Sequence, residues 1–270
     1  MPLKIQFVSD IHVEFWEDKN KLDFLKPSAP ILALLGDICC ISTDADFELY
    51  KKFILHYYDK FERILIVCGN HEYYFNPNNC KKPATKHTMK ACEHKLQKFC
   101  KAYEKLVYLN NRTMSIDTRQ GERYLLIGSV LWTNIPVNLH NVVYHRMNDY
   151  SYIYCQNGKK IQRLTPDVIT KIHMKNVAYI KRKIAKAKKE KRKVVIFTHH
   201  KPYLGDKCRG IQQAYETDLT SLMKNPVVLW CYGHTHKRDN ALINGVQIRS
   251  NPKGYPYEKT YFNPKEVVVI

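Results

Sequence analysis

Six short apolar runs punctuate the chain, at residues 3–9, 31–35, 64–68, 124–128, 194–198 and 227–232. Each is bounded by charged or turn-forming residues and is too short for a stable helix, so each predicts a buried strand. Longer stretches of mixed polarity lie between them, at 44–58, about 85–103, 167–189 and about 217–223, and read as helices. Thr165, followed by Pro166 and Asp167, gives the third of these a start signal, with Thr165 as the expected cap. Strands alternating with helices predict an α/β protein. The rhythm changes near the end. Residues 241–243 and 246–249 flank Asn244-Gly245 and read as a hairpin, and 266–270 as a last strand. The sheets are therefore expected to be mixed. Residues 73–101 show little pattern before Thr85 and read as a surface excursion leading into a helix.

Length and composition narrow the class. A chain of 270 residues suits about one or two domains. Its 44% hydrophobic and 26% charged content is that of a soluble globular protein. No apolar run approaches the roughly 18 residues that a membrane span needs. The N-terminus has no long apolar segment followed by a small-residue cleavage site. A cytoplasmic protein with no membrane partner is the expectation. The nine cysteines are odd in number, irregularly spaced and without a Cys-x-x-Cys pair. They argue against a structural zinc site and for reduced thiols.

The net charge of +19 favours anionic partners. The excess is mostly lysine, 33 against 11 arginines, and lysine is the poorer residue for bidentate phosphate or base recognition. Nucleic acid therefore stays open as a partner. The basic run at 181–193 is either a nucleic-acid footprint or the solvated end of a helix, where cations suit the dipole; the second reading is preferred.

The informative feature is where polar residues interrupt the apolar runs. Asp10 and His12 follow the first run, and Asp37 follows the second. Asn70 and His71 follow the third, His199 and His200 the run at 194–198, and His234 and His236 the run at 227–232. In open α/β sheets, ligands bind outside the carboxyl ends of the strands. Five strands thus each deliver metal-ligand chemistry to one edge. Any one of these signals is weak, because Gly-Asp is commonly a turn and Asp-x-His arises by chance. Their joint order is what carries meaning. Hydrolysis of a phosphate ester needs a nucleophile at neutral pH and charge relief on the phosphoryl oxygens, and two divalent metals about 3.5–4 Å apart supply both. A mixed nitrogen and oxygen donor set suits manganese, iron or zinc.

Asp10-Ile-His12, Gly36-Asp37, Gly69-Asn70-His71-Glu72, His199 and Gly233-His234-Thr235-His236 together resemble the signature of the calcineurin-like metallophosphoesterase superfamily. Segments 131–133, 147–149 and 251–256 look like a compact microbial subgroup of it. The resemblance implies one phosphoesterase domain over residues 1–270, a four-layer αββα sandwich of two mixed β-sheets flanked by helices. It implies that Asp10, His12 and His236 hold one metal, that Asn70, His199 and His234 hold a second, and that Asp37 bridges them. His71 would then be the general acid or charge stabiliser beside the leaving group. Manganese leads, with iron or zinc as alternatives. The implied activity is hydrolysis of phosphate esters by a bridging hydroxide attacking in line, most simply of diesters. The alternatives are a nuclease or end-processing enzyme and a non-catalytic scaffold. His199 is preferred over His200 as the ligand because it directly follows its strand. His200, Asn148 and Asp149 are the candidate substrate contacts, the last two reading equally well as a turn.

Overall fold

The computed structural model describes residues 2–75, 83–205 and 209–270. The apolar runs become strands because both their faces are covered. The first sheet holds β1 (Lys4–Val8), β2 (Ile31–Leu35), β3 (Arg63–Val67) and β4 (Leu106–Tyr108), all parallel, in that spatial order. The second holds β5 (Arg112–Asp117), β6 (Arg123–Ser129), β9 (Lys193–Thr198), β10 (Val227–Tyr232), β11 (Asp239–Ile243) and β12 (Val246–Ser250). Its four inner strands are parallel, and β5 and β11 close its edges antiparallel. A last strand, β13 (Val267–Val269), returns antiparallel to β1, so both sheets are mixed. β7 (Tyr154–Asn157) and β8 (Lys160–Arg163) form a separate hairpin.

Alternation of side chains along each strand sorts the core into layers. Ile5, Phe7, Leu65 and Val67 of the first sheet meet Leu126, Val195, Phe197 and Leu229 of the second. The opposite face of the first sheet, with Leu32, Leu34 and Ile66, is covered by α1 (Asp44–His56) and α2 (Met89–Lys101). The opposite face of the second sheet, with Ile127, Val194, Ile196 and Trp230, packs on Ile180 and Ala187 of a long helix at Pro166–Lys189. Two short helices, α3 (His140–Arg146) and α4 (Asp149–Tyr152), precede it, making it α5. The order is helix, sheet, sheet, helix.

Most expected elements lie within two or three residues of their observed bounds, and Asn244 and Gly245 form the hairpin turn with positive φ at both positions. Four details differ. The stretch at 217–223 holds only a 3₁₀ turn, Thr220–Leu222. The expected helix from Thr85 opens as a separate 3₁₀ turn, Thr85–His87, before α2. Thr165 occupies the cap position of α5 but makes no side-chain cap bond. The excursion after β3 is not a surface feature at its start, because Tyr73 and Phe75 are buried; residues 76–82 of it lie outside the described residues.

After β12 the chain crosses back to the first sheet. Asn251 Nδ2 donates to the Phe7 and Asn263 carbonyls, and the Lys253 and Gly254 amides donate to the carbonyls of Ser9 and Asp10. This strap brings residues 253–260 against the end of β1.

Candidate metal centre

The loops leaving β1, β2, β3, β9 and β10 converge at one edge of the two sheets. Asp10, His12 and His236 offer ligand atoms within 4.8 Å of one another, and so do Asp37, His199 and His234. Asp37 stands between the groups: its Oδ2 is 3.4 Å from His199 Nε2 and 3.9 Å from His12 Nε2. Asn70 joins the second group, with Oδ1 2.9 Å from His199 Nε2. All seven residues singled out as ligands thus meet in one place.

The backbone is bent to make this possible. Asp10, His12, Asp37, His234 and His236 all adopt left-handed φ, between 50° and 68°. Such conformations cost on the order of 1–3 kcal/mol each and persist only where surroundings over-determine them. Glu72 is one such determinant. Its carboxylate accepts the amides of Asp37, Ile38 and Gly69 at 2.7–2.9 Å, tying the β2 and β3 loops together. Burial, helped by Asp37, pushes Glu72 up to about 7 despite those amides. Gly69 is required by proximity, since a Cβ there would lie 2.1 Å from Asp37 Oδ1.

The hydrogen bonds fix the tautomers. His12 Nδ1 faces Glu14 Oε1 at 3.3 Å, and His236 Nδ1 faces Glu258 Oε2 at 2.6 Å. His199 Nδ1 faces the Leu35 carbonyl at 2.8 Å. Carboxylates and carbonyls only accept, so each Nδ1 donates, and each neutral ring turns a lone pair inward from Nε2. Asn70 Nδ2 donates to Asp149 Oδ1 at 2.9 Å, which turns its Oδ1 inward as well. The ring nitrogens Nε2 of His12, His199 and His236 and Asn70 Oδ1 thus add to the carboxylates of Asp10 and Asp37 a set of inward acceptors, the arrangement a cation completes. Metal-bound histidines ordinarily donate their second nitrogen in this way.

In a metal-free protein, protons stand in for the cation. Burial alone would lower His199, but Asp37 and Asp10 beside it raise it to about 10. His236 is likewise opposed by burial and raised by Asp10 and Glu258 to about 9. Burial opposes the charge on Asp37 too, yet His199, His71 and His12 hold it well below the usual carboxylate range. His234 goes the other way: burial and neighbouring imidazoles drive it well below its ordinary value.

His71 sits beside these groups. Its Nδ1 is 3.0 Å from Glu14 Oε1, its ring stacks on Tyr74, and its Nε2 is 3.4 Å from the Tyr255 hydroxyl. Burial disfavours its charge, but Asp37 and Glu14 raise its pKa. Glu14 thus serves both His12 and His71 through one oxygen, and their hydrogen bonds overcome burial to hold it at about 2.

The substrate-contact candidates separate. Asn148 and Asp149 line a 310 Å³ cavity over the centre, together with His71, Tyr74, Tyr215 and Tyr255. Asp149 is engaged by Asn70 and Tyr74, so it orients Asn70. His200 is placed otherwise than as a substrate contact. It is buried between Trp132 and His234, faces the Val130 carbonyl, and lines none of the cavities at the centre. Glu14, Tyr74, Tyr215 and Glu258 were not read from the sequence, and Tyr255 only as part of the segment 251–256. Glu72 was, as the fourth residue of its motif, but without a role.

The basic run is at the wrong end to grip a substrate here. Lys193 opens β9 and His199 follows its close, and six residues at about 3.3 Å each place them roughly 20 Å apart. Lys186, Arg192 and Lys193 are also paired with Glu190, Asp117 and Glu122. The residues between Lys186 and Lys189 form the last turn of α5, as the helix-end reading expects.

Comparison with known proteins gives the fold and the family. An uncharacterized protein of Acanthamoeba polyphaga mimivirus is 30% identical over 98% of this chain and 96% of its own. The crystal structure of a phosphopantetheinyl hydrolase from Mycobacterium tuberculosis shares the fold, with a TM-score of 0.72 and 16% identity over 100% of this chain and 96% of that one. A Thermus thermophilus protein does so more distantly, with a TM-score of 0.53 and 10% identity over 93% of this chain and 90% of that one. No helix among the described residues is long and apolar enough to cross a membrane. The family model for calcineurin-like phosphoesterases matches residues 3–238, and the chain belongs to that family of phosphoric ester hydrolases.

Proposed function

We propose that this chain is a phosphodiesterase with two divalent cations, one held by Asp10, His12 and His236, the other by Asn70, His199 and His234, with Asp37 shared. The observation that carries the reading is Asp37 Oδ2, which lies within 4 Å of a nitrogen from each group. When bound, such a pair of cations supplies an acidified water and relieves charge on the phosphoryl oxygens. Manganese is the first choice for this nitrogen and oxygen set, with iron or zinc next.

The chain's own residues do the rest. Asp149 and Tyr74 aim the Asn70 amide, Glu14 aims His12, and Glu258 aims His236. His71 has its affinity for a proton raised by Asp37 and Glu14 against burial, and it lines the cavity with Nε2 3.4 Å from the Tyr255 hydroxyl. It is placed to pass that proton to the departing ester oxygen as the P–O bond breaks. Residues 1–270 work as one catalytic unit, because Tyr255 and Glu258, from beyond the matched region, complete the site.

Preference for diesters is supported by space on both sides of the centre. The 310 Å³ cavity shares His71 and Tyr255 with one of 420 Å³, and Tyr215 and His234 with one of 510 Å³. A monoester would need one arm only. The position of the basic run leaves the nuclease reading without support from that run.

The test is hydrolysis of bis-p-nitrophenyl phosphate and p-nitrophenyl phosphate by manganese-loaded protein. Turnover of the diester at the higher kcat/KM is expected. Faster monoester turnover would overturn the diester preference, and no turnover of either would overturn the catalytic reading.

A further inference from the structure

The two arms of the cleft differ in chemistry, and His71 gives the cleft a direction. We propose that the substrate is an unsymmetrical phosphodiester whose aromatic alcohol departs on the Phe15 side while an anionic group on the retained arm lies on the Lys237 side. This rests on the phosphodiesterase reading above and deepens it.

The direction comes from proton transfer. A general acid must come within about 3 Å of the departing oxygen. His71 lines the central cavity and the 420 Å³ arm, and it does not line the 510 Å³ arm. The alcohol that leaves therefore occupies the 420 Å³ arm.

That arm is built to receive a planar apolar group. Phe15 is 52% exposed at its mouth, which is unusual for a phenylalanine beside buried polar groups. It is not isolated. Its ring is 5.5 Å from Tyr255, edge-on, and Tyr257, 82% exposed, stacks on Tyr255 at 5.6 Å and 24°. Phe15 and Tyr255 thus line this arm, with Tyr257 stacked on Tyr255 outside the lining, and Phe15 lies 6.1 Å from His71. Glu14 and Asp46 also line this arm, against one exposed cation, Lys19, which leaves it net negative.

The other arm carries the opposite bias. Lys201, Lys237 and Arg238 line it, against Glu216 and Asp239. Lys201 is paired with Glu216, Arg238 with Glu266, and Asp239 accepts the hydroxyls of Tyr203 and Tyr232. Lys237 is exposed and has no ion pair among the described residues. It is the cation left for a carboxylate or phosphate on the retained arm.

The step balances simply. Water adds to phosphorus, the P–O bond to the aromatic alcohol breaks, that oxygen takes the His71 proton, and the water's proton restores His71. The products are the free alcohol and a monoester that keeps the anionic arm.

The test uses a diester joining 2-phenylethanol and 4-hydroxybutanoate through one phosphate, two unactivated alcohols that differ in the groups the arms are meant to distinguish. Manganese-loaded protein should release 2-phenylethanol and leave phosphorylated hydroxybutanoate. Phe15→Ala should raise KM for this probe about tenfold, as loss of one stacking contact does, and should broaden less the phenyl proton signals of the bound methylenephosphonate analogue. Lys237→Ala should raise KM for the probe but not for its uncharged butyl counterpart. Release of hydroxybutanoate, or of both alcohols equally, would overturn the proposal. So would failure to cleave the probe by protein that cleaves bis-p-nitrophenyl phosphate. If neither is cleaved, the catalytic reading itself falls and takes the proposal with it.

Discussion

His12 Nε2 and His236 Nε2 face each other at 3.2 Å, while the Nδ1 of each ring is held by its own carboxylate, Glu14 for one and Glu258 for the other. Two lone pairs at that distance repel unless a proton or a cation lies between them. Loaded protein should therefore carry about two manganese ions per chain, the number such a centre needs. His236→Ala should keep about one and lose most of its activity. Elemental analysis after gel filtration reads this directly. A variant that still holds both ions would show that His236 is not a ligand.

The protons that replace the metal give a sign for pH dependence. His236 is raised to about 9 and His199 to about 10. Below the ordinary imidazole value of about 6.5 the folded and unfolded chains both hold these protons. Above it only the folded chain does, so their stabilisation is full below about 6.5 and fades as pH rises through the folded values. Metal binding must expel them. At pH 7.5, calorimetric titration with manganese should show proton release, as a heat that varies with the ionisation enthalpy of the buffer. Affinity should rise between pH 6.5 and 9. A heat independent of buffer would contradict the assignment.

Glu14 presents a separate case, because one oxygen serves a metal-side ring and the acid. Glu14→Gln keeps an oxygen that can accept both Nδ1 hydrogens but removes the negative charge that favours the protonated form of His71. The loss should grow as the leaving alcohol becomes less acidic, reaching on the order of 10²-fold for alkyl esters and staying small for p-nitrophenyl esters, following the usual range for general acid catalysis. Nitrogen shifts of His71 in metal-free protein should also report a larger neutral fraction at a given pH. An equal loss for every leaving group, with lost metal, would make Glu14 a structural support only.

Glu258 should behave as an outer partner of the metal. Its oxygen holds both His236 Nδ1 and the Tyr255 amide. Glu258→Gln should weaken metal affinity about 10–100-fold, the range for such partners, with little change in melting temperature once metal is saturating. Competition with a metallochromic chelator measures it, and unchanged affinity would remove Glu258 from the centre.

Gly69→Ala tests the backbone that carries the site. The new Cβ would meet Asp37 Oδ1 at 2.1 Å and His199 Cε1 at 2.7 Å, so one of them must move. Strong loss of metal and activity in a chain that still folds is the expected result. Wild-type metal content and turnover would mean that the two loops are less tightly apposed than described.

Much of this was legible in the sequence because the same residues serve two signals. Asp37 and His199 end apolar runs that can only be buried strands, and the parallel sheets then bring those ends to one edge. The edge strand β5 was not legible, because Arg112, Ser115 and Asp117 break its apolar pattern where one side meets water. The stretch at 217–223 holds only the 3₁₀ turn Thr220–Leu222 because the Thr217 and Leu219 amides donate to the Lys201 and Pro202 carbonyls instead of within a helix. Tyr255 lay in the segment 251–256 without a role, and Glu258 carried no motif. Their place depends on Asn251 binding across 244 residues to Phe7, a tertiary contact that no local pattern encodes. Glu14 is two residues from His12, yet its role depends on His71 arriving from a different strand.

Anomalous diffraction from manganese-loaded crystals would test the centre most directly. Two peaks are expected about 3.5–4 Å apart, one against Asp10, His12 and His236 and the other against Asn70, His199 and His234, with Asp37 touching both. A single peak, or two peaks that Asp37 does not join, would contradict it.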